Sequence, residues 1–336
     1  MTHEFKSLIE QAQTWQKKGQ KNVLASVVYL EGSSYRKPGV RMLINDKGEV
    51  LGAVSGGCVE KEIHHQAQAV FESGVTKMMT YDGRVRLGCE GVLYILLEHI
   101  EMSEDFFHAF YETIQRRQPI QIQSFYDKAS GPCPQGGSTV IMNGKTYDLG
   151  AQKSSFTAPY LFKDNLPALF RLIIIGGEHD AVQLCAAASH LGWEVHLVVA
   201  PDEQKSINYF PGAHSLHMPI NHQIDRSLVD KNTAVVLMTH SYSKDVYYLN
   251  AVKNTYPCYF GLLGPKKRKS QLIDRLLEID SEIELAFIEQ LRGPAGLNVG
   301  AASAQEIAVS ILAEILAVTR QHEPIPLKDK TGNIHA

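Results

Sequence analysis

Two adjacent glycines followed by a cysteine, in Gly52-Ala53-Val54-Ser55-Gly56-Gly57-Cys58-Val59-Glu60, place the chain's best candidate for chemistry where an apolar strand runs into a helical pattern. The glycines let the backbone approach a ligand closely, and N–H groups at a helix start favour an anion. The same dipoles favour a thiolate, so Cys58 is the leading candidate for a reactive or metal-facing thiol. A second thiol between glycines follows in Leu87-Gly88-Cys89-Glu90-Gly91. Against this stands the ordinary role of a free cysteine as a small buried hydrophobe. Glu60, in the first helical turn, serves either the helix dipole or the hydrogen-bond donors of a ligand beside Cys58. His64 is four residues after Glu60, but no third residue at ligand spacing completes a metal site there.

The elements that must position these residues are legible in the periodicity. Phe5, Leu8, Ile9, Ala12 and Trp15 predict an opening helix stopped at Gly19. Strands follow at residues 23–30, 40–44 and 49–54, the last two as a hairpin. The loop between the first two offers Arg36 and Lys37, whose charges suit a phosphate or simply a solvated turn. Val59, Ile63, Ala67, Val70 and Phe71 predict a helix closed by Gly74. Beyond it come strands at 75–81 and 92–97, a helix at 105–116, a strand at 120–125 and a hairpin at 138–148. Cys133, between prolines, is expected to be exposed.

Residues 149–168 lose periodicity and read as a linker between a first domain at 1–148 and a second at 169–322, with a tail at 323–336. In the second domain apolar strands alternate with helices, which predicts a doubly wound parallel sheet of Rossmann proportions. The fold class is therefore α/β, an α+β domain followed by a Rossmann-like one. Gly176-Gly177 follows the first strand, yet the second glycine position of the dinucleotide fingerprint holds Glu178 and the third Ala181. The second strand leads into Ala200 where an acid should meet a ribose, so NAD(P) binding is doubtful. His240, at the end of a later strand, is a ligand candidate or a loop histidine. Gly264, before Pro265-Lys266-Lys267-Arg268-Lys269, offers a turn where an anion could sit.

With 336 residues and a hydrophobic fraction of 44%, the chain is long enough for two cored domains. No apolar run approaches a bilayer span and no signal-peptide pattern opens the chain, so no membrane role and a cytoplasmic location are expected. Five cysteines without a Cys-x-x-Cys pair argue for reduced thiols. A net charge of -3 gives no electrostatic case for nucleic acid.

Taken together, Gly32-Ser33-Ser34 to Pro38-Gly39, Ser55 to Glu60, Gly88-Cys89, Met238-Thr239-His240, Gly261 to Gly264 and Gly296-Leu297-Asn298-Val299-Gly300-Ala301 through Glu306 resemble the XdhC/CoxI-type accessory proteins of molybdenum hydroxylases such as xanthine dehydrogenase. The resemblance runs over nearly the whole chain. It implies an XdhC/CoxI domain, a Rossmann-like domain, a homodimer, and a chaperone that binds molybdenum cofactor (molybdopterin). Such a chaperone protects the cofactor while a cysteine desulfurase helps install its sulfido ligand, and delivers it to the apo hydroxylase. Mapped onto this sequence, Ser55, Gly56, Gly57, Glu60 and Arg36 bind the cofactor, and Cys58 and Cys89 face its molybdenum. Gly176, Gly177, His240 and Gly264 are ligand candidates of the second domain. Departures at Glu178, Ala181 and Ala200 weaken a nucleotide role there. Two rival readings stay open: an NAD(P)-dependent oxidoreductase using His240 as acid or base, and a scaffold that docks partners without holding cofactor.

Overall fold

The computed structural model describes residues 2–32, 37–55, 57–83, 91–150, 155–220 and 223–331, and of Cys58 the backbone alone. The chain forms two units, one of residues up to Ala168 together with those from Leu327 on, the other Leu169–Pro326. Among the described residues no helix is long and apolar enough to cross a membrane.

The first unit opens with α1 (Thr2–Lys17), β1 (Asn22–Glu31), β2 (Arg41–Asn45), β3 (Val50–Gly52) and α2 (Cys58–Ser73). It continues with β4 (Lys77–Asp82), β5 (Val92–Ile100), α3 (Glu104–Gln115), β6 (Ile120–Tyr126), β7 (Gly131–Pro132), β8 (Gly137–Met142), β9 (Lys145–Asp148) and β10 (Tyr160–Leu166). One antiparallel sheet has the order β3-β2-β1-β5-β4-β7, and a second has β10-β6-β8-β9. Alternation decides which face each residue meets. Val23, Ala25 and Val27 of β1 and Ile95 and Leu97 of β5 pack under α2 with Val59, Ile63 and Ala67. Leu24 and Ile100 face the other way, onto α1, α3 and the second sheet through Phe5, Phe106, Ile122 and Val140. Both faces of the central strands are covered, which is why β1 and β5 read as nearly unbroken apolar runs.

The stretch expected as a linker supplies β10, which pairs with β6 from Tyr160↔Tyr126 to Leu166↔Ile120. It escapes sequence reading because it is an edge strand whose side chains are mostly exposed or half-buried, leaving no apolar period to count. Its Asp164 nevertheless anchors the buried Arg41 of β2, whose Nη1 donates to Asp164 Oδ2 at 2.7 Å and to Gly39 O at 2.9 Å. Arg41 Nε and Nη2 are buried without a hydrogen-bond partner among the described residues, so Asp164 is the compensating charge for that guanidinium. Asp164→Ala is expected to destabilise the fold by about 2 kcal/mol, below the ~3–5 kcal/mol of a wholly buried pair because Asp164 keeps some solvent. An unchanged urea midpoint would show that water already screens Arg41.

The expectation that Cys133 is exposed is corrected: it is buried against Val28, Met78 and Leu96. The short β7 pairs with the start of β4, and Cys133 N–H then donates to Thr76 O at 2.7 Å, which draws the thiol inward.

The second unit runs β11 (Arg171–Ile175), α4 (His179–His190), β12 (Glu194–Val198), β13 (Ala213–His217), β14 (Thr233–Leu237), α5 (Tyr242–Ala251), β15 (Tyr259–Leu262), α6 (Lys266–Ile279), α7 (Leu285–Gln290), β16 (Leu291–Arg292) and α8 (Ala304–Thr319). Its strands are all parallel in the order β13-β12-β11-β14-β15-β16, the doubly wound order of a Rossmann sheet. Helices α4 and α8 cover one face through Leu184, Ala188, Ile311 and Ile315. Helices α5 and α6 cover the other through Leu249, Leu272 and Leu276.

Candidate functional site

The strand-to-helix turn of the first unit is built on Glu60. Its Oε1 accepts from the N–H groups of Val54 at 3.0 Å and Ser55 at 2.5 Å, and its Oε2 from Ser55 Oγ at 3.1 Å and Gly57 N–H at 2.6 Å. Burial would raise this carboxyl, but the hydrogen bonds from Ser55 and Gly57 outweigh it and hold Glu60 below its ordinary value. Gly57, the residue before the helix, has φ 134, open to glycine alone. Cys58 is the first residue of α2.

Two expectations change here. Glu60 does not turn toward the donors of an outside ligand, because both carboxylate oxygens serve the turn. Gly57 N–H is likewise taken by Glu60, so it is not open to a phosphate. Gly56, Arg36, Cys89 and the side chain of Cys58 lie outside the described residues.

The described ends of these segments are informative. In the antiparallel order β1, β3 and β4 run the same way, so Glu31, Gly52 and Asp82 end their strands at the same end of the sheet. Gly83 N–H donates to Gly91 O at 3.0 Å, which continues the pairing of β4 with β5 one residue beyond Asp82 and Val92.

A cleft of about 580 Å³ opens between α2 and β4, lined by Glu62, Gln66, Lys77, Thr80, Asp82 and Ser130 among others. Glu62 stands one helical turn beyond Cys58. Gln66 Nε2 donates to Glu62 Oε1 at 2.8 Å, and Thr80 Oγ1 and Ser130 Oγ lie 2.7 Å apart. None of these residues stands out by type in the sequence. Their signal is the polar stripe of α2, in which Glu62 and Gln66 recur at i, i+4 opposite the apolar face.

The three thiols with described side chains are poor nucleophiles. Burial pushes Cys185 up to about 12 and Cys258 up to about 11, and raises Cys133 as well. Of five cysteines, Cys58 and Cys89 remain as candidates.

In the second unit, Gly176 and His240 meet at the ends of the neighbouring β11 and β14, where the strand order reverses. A Cβ on Gly176, at φ 140, would stand 2.4 Å from Met238 O, so close strand approach alone requires the glycine. A Cβ on Gly177 would come 3.0 Å from Glu203 Oε2. His240 holds φ 57, unusual without glycine, and its Nε2 lies 2.9 Å from Asp180 Oδ2. Glu178, Asp180 and Glu203 thus surround the turn where a pyrophosphate would sit, against Lys205, which is 3.2 Å from Glu203 and 3.7 Å from Glu178. That charge balance opposes a dinucleotide.

The basic cluster after Gly264 is partly committed inward. Arg268 donates from Nε and Nη2 to the buried Asp245 Oδ2 at 3.0 and 2.6 Å, and Asp245 Oδ1 accepts from Thr239 Oγ1 at 2.5 Å. Lys269 Nζ donates to Leu291 O at 2.5 Å. The anion expected at Gly264 therefore loses two of its four cations.

Residues 15–82 match the XdhC and CoxI family, and residues 172–315 match the XdhC Rossmann domain. The chain belongs to the XdhC and CoxI family. The stretch matched in the first unit includes the Ser55–Glu60 turn, and the Rossmann match takes in Gly176, Gly177, His240 and Gly264. Among curated XdhC-like relatives, a protein of Bacillus subtilis named as a probable component of xanthine dehydrogenase is 26% identical over 89% of this chain and 93% of its own. The molybdenum cofactor insertion chaperone PaoD of Escherichia coli is 26% identical over 91% of this chain and 86% of its own. A crystal structure described as a xanthine dehydrogenase from Bacillus halodurans shares the fold with TM-score 0.77, at 24% identity over 95% of this chain and 98% of that one.

Proposed function

We propose that this chain is a molybdenum cofactor chaperone, with the cofactor as its cargo. The observation that carries the reading is the Glu60-clasped turn at the start of α2, the helix whose Glu62 and Gln66 line the cleft against β4. The cargo is a phosphorylated pterin whose dithiolene holds the metal. Its pterin needs acceptors for ring and amino N–H groups, which Glu62 offers, and a donor for its carbonyl, which Gln66 offers. Lys77 supplies a positive charge for the phosphate. A thiol at a helix start suits contact with molybdenum. Cys89 and Arg36 complete the site from the neighbouring connections, and Ser55, Gly56 and Gly57 shape it. Support comes from the family and from a relative named as a molybdenum cofactor insertion chaperone over nearly the same length.

In this reading the chaperone shields the cofactor while a cysteine desulfurase supplies sulfur, then passes it as a homodimer to an apo hydroxylase of the xanthine dehydrogenase type. Anaerobic titration with molybdenum cofactor, followed by gel filtration, tests it. Wild type is expected to retain pterin and molybdenum one-to-one, and Cys58→Ala to lose at least about nine-tenths of both while keeping its helix content. Full retention by the variant removes the thiol from the site. No retention by folded wild type replaces the chaperone with a scaffold.

A further inference from the structure

We propose that Glu194, His196 and His214, on the β12–β13 edge of the second unit, bind a divalent transition-metal ion of the zinc class. The inference is independent of the cargo reading. One ligand atom from each of the three residues lies within 4.8 Å of the other two.

The backbone builds this grouping. Glu194 and His196 are two apart on β12 and share a face. Val195 pairs with Ala213 but His196 pairs with Ser215, so His214 is an extra residue bulged out of β13. A bulge re-aims a side chain, and here the His214 ring comes to 5.0 Å from the His196 ring, centre to centre.

Hydrogen bonds then fix the ligands. His196 Nε2 lies 2.7 Å from Glu194 Oε1, and an ionised carboxylate only accepts, so that nitrogen carries the proton. His196 Nδ1 therefore accepts from Ser215 Oγ at 2.7 Å, and Ser215 Oγ accepts in turn from His217 Nε2 at 2.6 Å. Arg171 orients Glu194 from the other side, donating to Oε1 from Nε at 3.0 Å and Nη2 at 2.7 Å. With an ion on Nε2 the His196 ring stays neutral as its Nδ1–H tautomer, which donates to Ser215 Oγ, and Ser215 Oγ then donates to Nε2 of His217 in its own Nδ1–H form. That is the outer partner a metal-binding histidine requires, and Arg171 is the outer partner of the carboxylate.

A zinc-class ion would replace the proton between His196 Nε2 and Glu194 Oε1. With bonds of ~2.0–2.1 Å in tetrahedral geometry those atoms need to separate by only about 0.6 Å. The exposed His214 supplies the third ligand, and a fourth position stays open. Imidazole ligands select zinc, nickel or copper over magnesium and calcium, while the Arg171 charge, on the same Glu194 oxygen, weakens the site.

The test uses the full chain, stripped of metal, titrated with Co²⁺ by absorbance and Zn²⁺ by calorimetry. One ion per chain is expected, with cobalt d–d bands, no thiolate-to-cobalt charge transfer, and no competition from Mg²⁺. His214→Ala, at an exposed position that leaves the core intact, should weaken binding by about tenfold or more. His196→Ala should do the same, with circular dichroism confirming that it folds. Absence of saturable binding, unchanged affinity in His214→Ala, or a strong thiolate charge-transfer band, which would put the ion on cysteines, overturns the proposal.

Discussion

Glu60→Ala is expected to abolish cofactor retention and to destabilise the first unit by about 2–3 kcal/mol, since charge-assisted hydrogen bonds to several donors disappear together. The informative companion is Glu60→Gln. Its amide keeps one accepting oxygen but turns an NH₂ group toward donors, either the N–H groups of Val54 and Ser55 or that of Gly57. It should therefore fail nearly as badly as alanine, with at least a tenfold loss of cofactor affinity. Isosteric rescue by glutamine would mean that shape, rather than a doubly accepting carboxylate, sets the turn.

The pH dependence has a definite sign. The folded carboxyl sits below its ordinary value of 4.5, so its stabilisation is fully present above that value and fades as pH falls through the folded one. Neutral and alkaline conditions should leave the turn untouched.

Much of the fold was legible because two covered faces leave strong apolar patterns. The parallel sheet announced itself through Leu172 to Ile175 and its successors, each buried on both sides. What escaped were the edges. β10 and β13 bury few side chains, and β16 is two residues long, so none carries a period.

At the site, residue type located the turn correctly but misjudged who uses its hydrogen bonds. Gly57 and Glu60 have the spacing of a capping box, seen in full at Ser303 and Glu306, where Glu306 Oε2 accepts from Ser303 N–H at 2.8 Å and Ser303 Oγ from Glu306 N–H at 3.3 Å. A glycine in the serine's place hid the motif, and with it the local role of the acid. The metal-type grouping was invisible for another reason. His214 joins Glu194 and His196 only through a bulge, and no spacing rule anticipates a bulge on an unpredicted strand.

A second acid of the first unit gives the opposite pH response, and a large one. Glu98 of β5 is 4% exposed and bridges the two sheets, accepting from Ser138 N–H at 2.7 Å and Ser138 Oγ at 2.6 Å. Burial pushes its carboxyl up to about 7, with the Ser138 hydrogen bonds and the Arg41 charge only partly opposing. The folded value exceeds the unfolded one, so the stabilisation is complete below about 4.5 and is lost as pH rises through about 7. That gap corresponds to about 3 kcal/mol. Glu98→Gln should remove it without breaking the bridge. The amide oxygen accepts from Ser138 N–H, and the NH₂ donates to Ser138 Oγ, which redirects its proton to Ser124 Oγ 2.8 Å away. Urea unfolding of both proteins across pH 5 to about 9 isolates the group, because half-buried histidines such as His99 are present in each. The variant should match wild type in acid and exceed it by about 3 kcal/mol in base. Parallel curves would mean that the carboxylate stays ionised inside the fold, its charge balanced by that of Arg41 on the same face of the sheet.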